Sequence, residues 1–534
     1  MEQHQQRDPL AGSVPATDGA DHLAALRTAA DGGDVAAALA AVRSGWFDLS
    51  SRHGEEVRVL LERFPLSTIR AQPLLAMMLG ISYNGLGFHR MRALRFFALA
   101  VRAARAEKKE LDPVDRALIR ASESAAYRLL GRPRLSVKPA RAAVEALDAL
   151  GEEQRAGVAY LPRIYSQIGI SLYYGGDVDA AMETFAKGLA ASPTTPPSSG
   201  FGNLAMLAGI HALQGDIPEA QAHLDYARSG PWTDQQRTMY TGTFYRLAEA
   251  VVATERLDGT AALAHLDAME HDRRSIEHWI AIAQVEGIAR LVAGDPGRGL
   301  AELDAFAAMR GAEGRSASAR SALARVRALL QLALGSPDAA AVILGRDLGD
   351  DPLGRIDRAR VDLTLDRTGS ALNGLRSIAG AQLTARGAAE AAALEAAILL
   401  RFSESPRARG VVDRLGSLLV RTRQRLALAV LPPRDLDRVV AALRAAGFAE
   451  VVEDVPLRSL LPELLPETLL SERELAVLAV LMDTGSVAEI ASALVVSGNT
   501  VKTQLRSVYR KLGVSNREDA IAVAIDRHLL VERD

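Results

Sequence analysis

The sequence predicts an all-α protein in which a long helical-repeat solenoid is followed by a small four-helix domain. Three observations predict it. Hydrophobic residues make up 49% of the chain and aromatics only 4%, so the apolar content is carried by helix-favouring Ala and Leu. Turns of one form recur at a spacing near 40 residues, the period of stacked helix pairs. Residues 470–534 then read as four short capped helices. At 534 residues the chain exceeds what one hydrophobic core normally supports, so several domains or an elongated repeat are expected.

In chain order, residues 1–20 are Gln, Asp, Gly and Pro with little to bury and read as a disordered lead. This polar start lacks the apolar core of a signal peptide. Residues 21–454 follow as a succession of amphipathic helices. Their turns are Gly33-Asp34-Val35, Gly176-Asp177-Val178, Gly215-Asp216-Ile217, Gly294-Asp295-Pro296 and Gly335-Ser336-Pro337-Asp338. Gly176 and Gly215 are 39 residues apart, Gly215 and Gly294 are 79 apart with the degenerate Arg256-Leu257-Asp258 between them, and Gly335 comes 41 after Gly294. In each turn the Gly ends one helix at positive φ and the Asp caps or opens the next. Ala180, Ala181 and Ala220 let paired helices approach closely.

Breaks in this pattern fall at Ser192–Gly200, a Pro/Ser loop, and at Leu348–Gly354. Residues 426–452 read either as strand, helix, strand or as more helix, and the helical content of the preceding 400 residues favours helix. Pro456, Pro462 and Pro466, with Glu463 and Glu467, mark a linker over 455–469.

The last domain is the most informative. Leu470-Ser471-Glu472-Arg473-Glu474 opens a helix with a capping box between Ser471 and Glu474, and Leu475, Leu478 and Met482 share helical spacing. Gly485 ends the connection to a second helix over Val487–Leu494, with Ile490, Ala491 and Leu494 on one side. Val495 and Val496 make a tight corner, Ser497 caps the third helix, and Gly513 stops it. A fourth helix starts from Ser515 and Glu518. On the third, Val501, Leu505, Val508 and Leu512 form a stripe built for burial. Lys502, Thr503, Arg506 and Arg510 occupy a separate arc, and no Asp or Glu interrupts residues 497–512. Net charge is −2, so affinity for a polyanion must come from such a local patch. A basic face on a surface helix is often merely solvated. Here it follows a helix and a short turn, the arrangement whose second element enters the major groove of double-stranded DNA.

Leu470-Ser471, Arg473-Glu474, Gly485, Ile490-Ala491, Leu494, Val496-Ser497, Thr500-Val501-Lys502, Tyr509, Lys511-Leu512-Gly513-Val514 and Arg517 together resemble the LuxR-type DNA-binding domain. Gln504 and Gly498 depart from its usual pattern. The resemblance implies base reading by Lys502, Thr503 and Arg506, and phosphate contacts by Ser497, Thr500, Arg510 and Lys511. It also implies a homodimer on operator DNA through the last helix, the Ala520–His528 segment. Upstream, the order of small, aromatic, turn, Ala, Phe and Pro residues from Gln167 to Pro193 resembles a tetratricopeptide repeat. A helical-repeat region before a LuxR-type domain is similar to the MalT-like regulators, whose sensor region also resembles Leu60–Pro65 and Gln72–Leu75. Those regulators carry an ATPase module. None of the six lysines of this chain stands in a G-x-x-x-x-G-K-[ST] loop, so no ATP-driven switch is expected within it.

Other chemistry finds little support. The chain has no Cys, which excludes disulfides, thiolate metal sites and cysteine nucleophiles and suits a cytoplasmic protein. His265, His271 and His278 cluster without metal-ligand spacing, no nucleophile elbow is present, and no cofactor is expected. No uncharged apolar stretch is long enough to span a bilayer. Aromatic residues crowd into 160–245. Tyr173 and Phe185 fill inter-helix space, whereas Tyr165, Tyr174, Tyr226, Trp232, Tyr240 and Tyr245 either do the same or line a concave surface for a small-molecule or protein effector. The sequence thus describes a non-enzymatic bacterial-type transcription regulator with an effector-sensing solenoid. The alternative is a protein-interaction scaffold with an accessory DNA-binding domain.

Overall fold

The computed structural model describes residues 16–529 except 86–89, 107–111, 130, 157, 159, 194–198, 270–275, 454–455, 464–469, 484–485, 513, 515 and 527–528. The predicted stops at Gly485 and Gly513, the cap at Ser515, His271 and most of the Pro/Ser loop lie outside the described residues. Among the described residues every regular element is helical. The chain divides into two compact units, residues 1–462 and 463–534.

The first unit opens with α1 (Ala16–Gly32), which begins inside the stretch read as a lead, and continues through α2 (Val35–Ser44), α3 (Trp46–Arg52), α4 (Gly54–Leu61), α5 (Leu66–Ala71), α6 (Pro73–Gly85) and α7 (Arg90–Ala106). Longer helices then alternate in pairs: α8 (Pro113–Leu129) with α9 (Pro133–Asp148), and, after the short α10 (Glu152–Ala156), α11 (Leu161–Gly175) with α12 (Val178–Ala190). Next come α13 (Phe201–Gln214) and α14 (Ile217–Ser229), the short α15 (Asp234–Thr238), α16 (Thr243–Glu255) and α17 (Gly259–Asp267), then α18 (Trp279–Val292) and α19 (Pro296–Met309). The array ends with α20 (Ala317–Ala333) and α21 (Pro337–Asp347), α22 (Pro352–Thr364) and α23 (Thr368–Arg376), α24 (Ala385–Leu400) and α25 (Pro406–Thr422), and the shorter α26 (Leu426–Ala429), α27 (Pro433–Ala445) and α28 (Glu450–Glu453). Residues 426–453 are therefore helical. Each first helix packs on its own partner and on the first helix of the next pair, α11 on α13, α13 on α16, α16 on α18 and so on to α24, which is a helical-repeat solenoid.

The repeated turn has one hydrogen-bond pattern. At Gly176 the amides of Gly176 and Asp177 return to Tyr173 and Leu172, at 3.1 and 3.0 Å, and Gly215-Asp216 repeats this at 3.1 and 2.9 Å. Both glycines are left-handed, φ +91° and +89°, as this helix ending requires. Leu257 adopts the same conformation at φ +57°, so the degenerate turn is a true member. Three further turns escaped the sequence reading. Gly131 (φ +72°), Asp366 (φ +59°) and Gly447 (φ +88°) close helices in the same way, with the amides of Arg132, Arg367 and Phe448 bonding back to Tyr127, Asp362 and Leu443. The aspartates serve differently. Asp34, Asp258 and Asp295 accept the amide three residues on, at 3.0, 2.9 and 3.2 Å, whereas Asp177 receives Arg141 from the preceding pair at 2.8 Å.

Packing between helices uses missing side chains as well as present ones. A Cβ at Gly169 would lie 2.4 Å from the ring of Phe185, and one at Gly209 would lie 2.5 Å from that of Phe244. In both places Gly lets an aromatic ring seat against helix backbone. Two large apolar clusters result, one running from Leu26 to Leu330 and one from Ile356 to Val452.

The array also closes on itself. Arg386, at the start of α24, donates to the carbonyls of Leu213 and Ala212 at 3.1 and 3.0 Å and to Glu255 Oε1 at 2.7 Å. Glu255 Oε2 in turn accepts the amides of Arg425 and Leu426 at 2.7 and 2.9 Å. Beyond α28, residues 457–461 do not form a free linker. Leu460 donates its amide to Ala429 at 2.7 Å, and Leu461 is buried among Ala328, Leu332, Ala340, Leu344 and Val361, because three leucines in five residues supply an apolar face.

Candidate nucleic-acid interface

The second unit contains α29 (Glu472–Asp483), α30 (Val487–Ala493), α31 (Gly498–Leu512) and α32 (Arg517–Asp526). Its core holds all four residues of the predicted stripe, Val501, Leu505, Val508 and Leu512, together with Leu470, Ile490, Ala520 and Ala524. On α29 the buried apolar residues are Val477, Leu478 and Leu481, and Met482 is 38% exposed. Of the predicted stripe, Leu478 is in the core and Leu475 packs against it, whereas Leu481 takes the buried place expected of Met482.

Local chemistry fixes each helix start. Ser471 and Glu474 form the expected capping box, Glu474 N to Ser471 Oγ at 3.3 Å and Ser471 N to Glu474 Oε2 at 2.6 Å. A second box, Ser486 with Glu489, starts α30. The turn into α31 passes through Val495, which is 90% exposed and sits at φ +54°, a costly conformation for a β-branched residue. Ser497 Oγ accepts the Thr500 amide at 3.1 Å and lies 2.8 Å from the Thr500 hydroxyl. The fourth helix is capped by Asn516, whose Oδ1 accepts the Asp519 amide at 2.8 Å. Asn suits this position because its side-chain carbonyl reaches the amide three residues on.

This scaffold leaves the arc of α31 exposed. Lys502, Thr503 and Arg506 face outward. Among the described residues neither Lys502 nor Arg506 has an ion-pair partner, so both cations are available to an anion or a base edge. Thr503 differs, because its hydroxyl donates to the Asn499 carbonyl at 2.9 Å and presents mainly its methyl. Ser497 and Thr500 are exposed beside the free amides of the first helical turn, a site suited to a phosphate. The side chain of Arg510 lies outside the described residues.

Lys511 departs from its predicted role. Its Nζ lies 2.5 Å from Glu474 Oε2, clamping α31 to the start of α29. Burial would push the Glu474 carboxyl up, yet hydrogen bonds from Lys511, Ser507 and Ser471 hold it down at about 2. Arg517 adds a second tie, donating to the Leu481 carbonyl at 2.9 Å. The carboxylate that pairs with Lys511 comes from 37 residues away in the sequence.

The aromatic set in the first unit is not a surface. Tyr165, Trp232, Tyr240 and Tyr245 are between 1% and 7% exposed, and Tyr174 is part-buried with its hydroxyl 2.6 Å from His278 Nδ1. Tyr174 and Tyr240 both stack on the His278 ring, and Trp232 meets the rings of Phe201 and Tyr226. Of the six, Tyr226 is the exposed one, at 51%, and Tyr240 lines a small pocket. Large rings fill the spaces that small helical residues leave, so their clustering marked tight packing. Of the predicted histidine group, His265 sits 3.2 Å from Glu249 and His278 is buried. Among the described residues no group of His, Asp or Glu is placed to hold a metal, and no helix is long and apolar enough to cross a membrane.

Comparison with known proteins agrees with this geometry. Residues 468–524 match the family described as bacterial regulatory proteins, luxR family, so the second unit contains a LuxR-family helix-turn-helix, a DNA-binding domain. Over the whole chain, a solved structure of Naa15/Naa10 bound to HypK-THB aligns at 12% identity, covering 96% of this chain and 97% of that one with a TM-score of 0.18. At that score the likeness carries no argument.

Proposed function

We propose that this protein is a sequence-specific transcription regulator that acts by binding alone, in the cytoplasm, with a repeat unit that senses an effector and a LuxR-family unit that reads DNA. The observation that carries this reading is the pair of unpaired, exposed cations Lys502 and Arg506 on the second helix of the matched motif. In the major groove they read base edges. Thr503 contributes a methyl contact, while Ser497, Thr500 and Arg510 hold phosphates. Lys511 acts chiefly through Glu474.

Dimerisation on DNA through α32 is part of the same reading. Its outer side carries Ile525, 59% exposed, an apolar residue suited to a self-complementary contact. The effector works by shifting an equilibrium between free and occluded, or monomeric and dimeric, DNA-binding units.

Selection of bound duplexes from a random library by the full chain tests the proposal. A defined motif is expected. Each of Lys502→Ala and Arg506→Ala should weaken binding to it and relax preference at particular positions. Unchanged affinity and preference in both variants would remove the base-reading assignment, and failure to enrich any motif would favour a scaffold.

A further inference from the structure

Where the repeat array closes on itself it forms a half-open cavity of about 250 Å³, some eight waters' share of liquid. One side is apolar, with Leu213, Val251, Ile288, Leu329, Leu426 and Val430 among its walls. The other side is a closed ion-pair network. Arg325 Nη2 and Arg360 Nη2 both reach Glu390 Oε2, at 2.8 and 3.0 Å. Asp357 takes the same two arginines at 2.5 and 2.6 Å. Arg386, also at the wall, is balanced by Glu255 behind it at 2.7 Å.

Two features define what fits there. Every guanidinium at the wall has a matching carboxylate, and Glu390 is held at about 2, burial pushing it up and Arg325, Arg360 and Arg386 pulling it further down. An added anion or cation would leave an uncompensated buried charge, which is strongly unfavourable. Both Asp357 oxygens and Glu390 Oε2 are already occupied, whereas Arg325 keeps 27% of its side-chain surface accessible and, among the described residues, has no hydrogen bond from Nη1. That nitrogen is a donor, so it calls for an acceptor on the ligand, and Glu390 Oε1 can accept from a neutral donor beside it. The shape is that of a small-molecule site, apolar with a few placed polar groups.

We propose that this cavity binds a small uncharged molecule with an aliphatic or aromatic body and a carbonyl oxygen that accepts from Arg325, and that helix α26 reports its occupancy to the segment leading out of the repeat unit. The second half rests on α26 serving two structures. Leu426 and Ala427 line the cavity with Val430. On the same stretch Ala429 accepts the Leu460 amide, and Leu431 accepts the Ser459 hydroxyl at 2.6 Å. Filling the cavity braces α26 and therefore holds residues 459–461 in place. This assignment deepens the effector half of the proposed function and is independent of the DNA half.

The test uses the full chain with 2-hexanone, 2-octanone and 2-decanone as probes, octanoate as the charged control, and Ile288→Trp and Leu329→Trp as variants filled from two different helices. At least one ketone should raise the melting temperature of the first unit by roughly 2 °C or more and slow hydrogen exchange at the Leu460 amide several-fold. Octanoate should do neither, and the ketone effect should vanish in whichever filled variant keeps its helical circular-dichroism signal. Three results would overturn the assignment: no effect from any ketone, equal protection by octanoate, or an undiminished effect in a folded filled variant. Protection of the melting transition without slower exchange at Leu460 would overturn the part assigned to α26. Duplex selection run in parallel separates the two readings, since loss of DNA binding with ketone protection intact counts against the DNA-reading unit alone.

Discussion

The two units use the same cationic side chains for opposite ends. In the repeat unit Arg325, Arg360, Arg386 and Arg401 are each locked to carboxylates brought from other helices. On α31, Lys502 and Arg506 stand outward, and among the described residues neither has an ion-pair partner. Lys511, nine positions beyond Lys502, belongs to the first class, because Glu474 faces it. What separates a structural cation from a reader of DNA is therefore not residue type or helix position but whether the fold delivers an opposing charge, and that difference can be broken from either side.

The largest effect is expected where a buried pair is opened. Glu255→Ala leaves Arg386 unpaired and two amides without an acceptor, and should cost about 3 to 5 kcal/mol in urea unfolding of the first unit. A loss below about 1 kcal/mol would mean that the closure of the array is not held there. Next, Lys502→Ala and Arg506→Ala should each weaken binding to the selected duplex by about 1 to 3 kcal/mol and leave unfolding within about 0.5 kcal/mol of the parent. A matching stability loss would move them into the structural class.

Smaller effects sharpen the contrast within the second unit. Val495→Gly relieves a left-handed β-branched residue and should stabilise that unit by about 1 kcal/mol, read by thermal melting. Lys511→Met should lower its stability by no more than about 1 kcal/mol, and a weaker salt dependence of DNA binding with unchanged stability would instead restore Lys511 to a phosphate contact. The pH dependence follows from the same pair. Folding depresses the Glu474 carboxyl to about 2, so its contribution is present above the ordinary carboxylate range and fades as pH falls from about 4.5 toward 2. Glu474→Gln should flatten that part of the unfolding profile.

Much of the second unit was legible because its signals are local. Capping residues lie three positions from the amides they satisfy, and Val501, Leu505, Val508 and Leu512 follow the helical period. The misreading there, Met482 in place of Leu481 on the buried side of α29, is a shift of one residue between neighbouring candidates of similar chemistry. In the repeat unit the turns were legible where Gly is followed by Asp or by Ser-Pro-Asp. They were missed at Asp366, where a non-glycine residue adopts the same left-handed conformation, and at Gly131 and Gly447, whose following Arg132 and Phe448 lack the Asp of the other turns.

The sequence by itself determined the helices, their pairing period and the face of α31 that turns outward, since each depends on residues within one or two helical turns of one another. Only the tertiary structure decided which arginines are silent, where the aromatic rings go and that a cavity exists. Glu255 meets Arg386 across 131 positions and the amide of Leu426 across 171. Periodicity says which side of a helix is apolar, but the accumulated rotation of stacked repeats decides what that side finally faces.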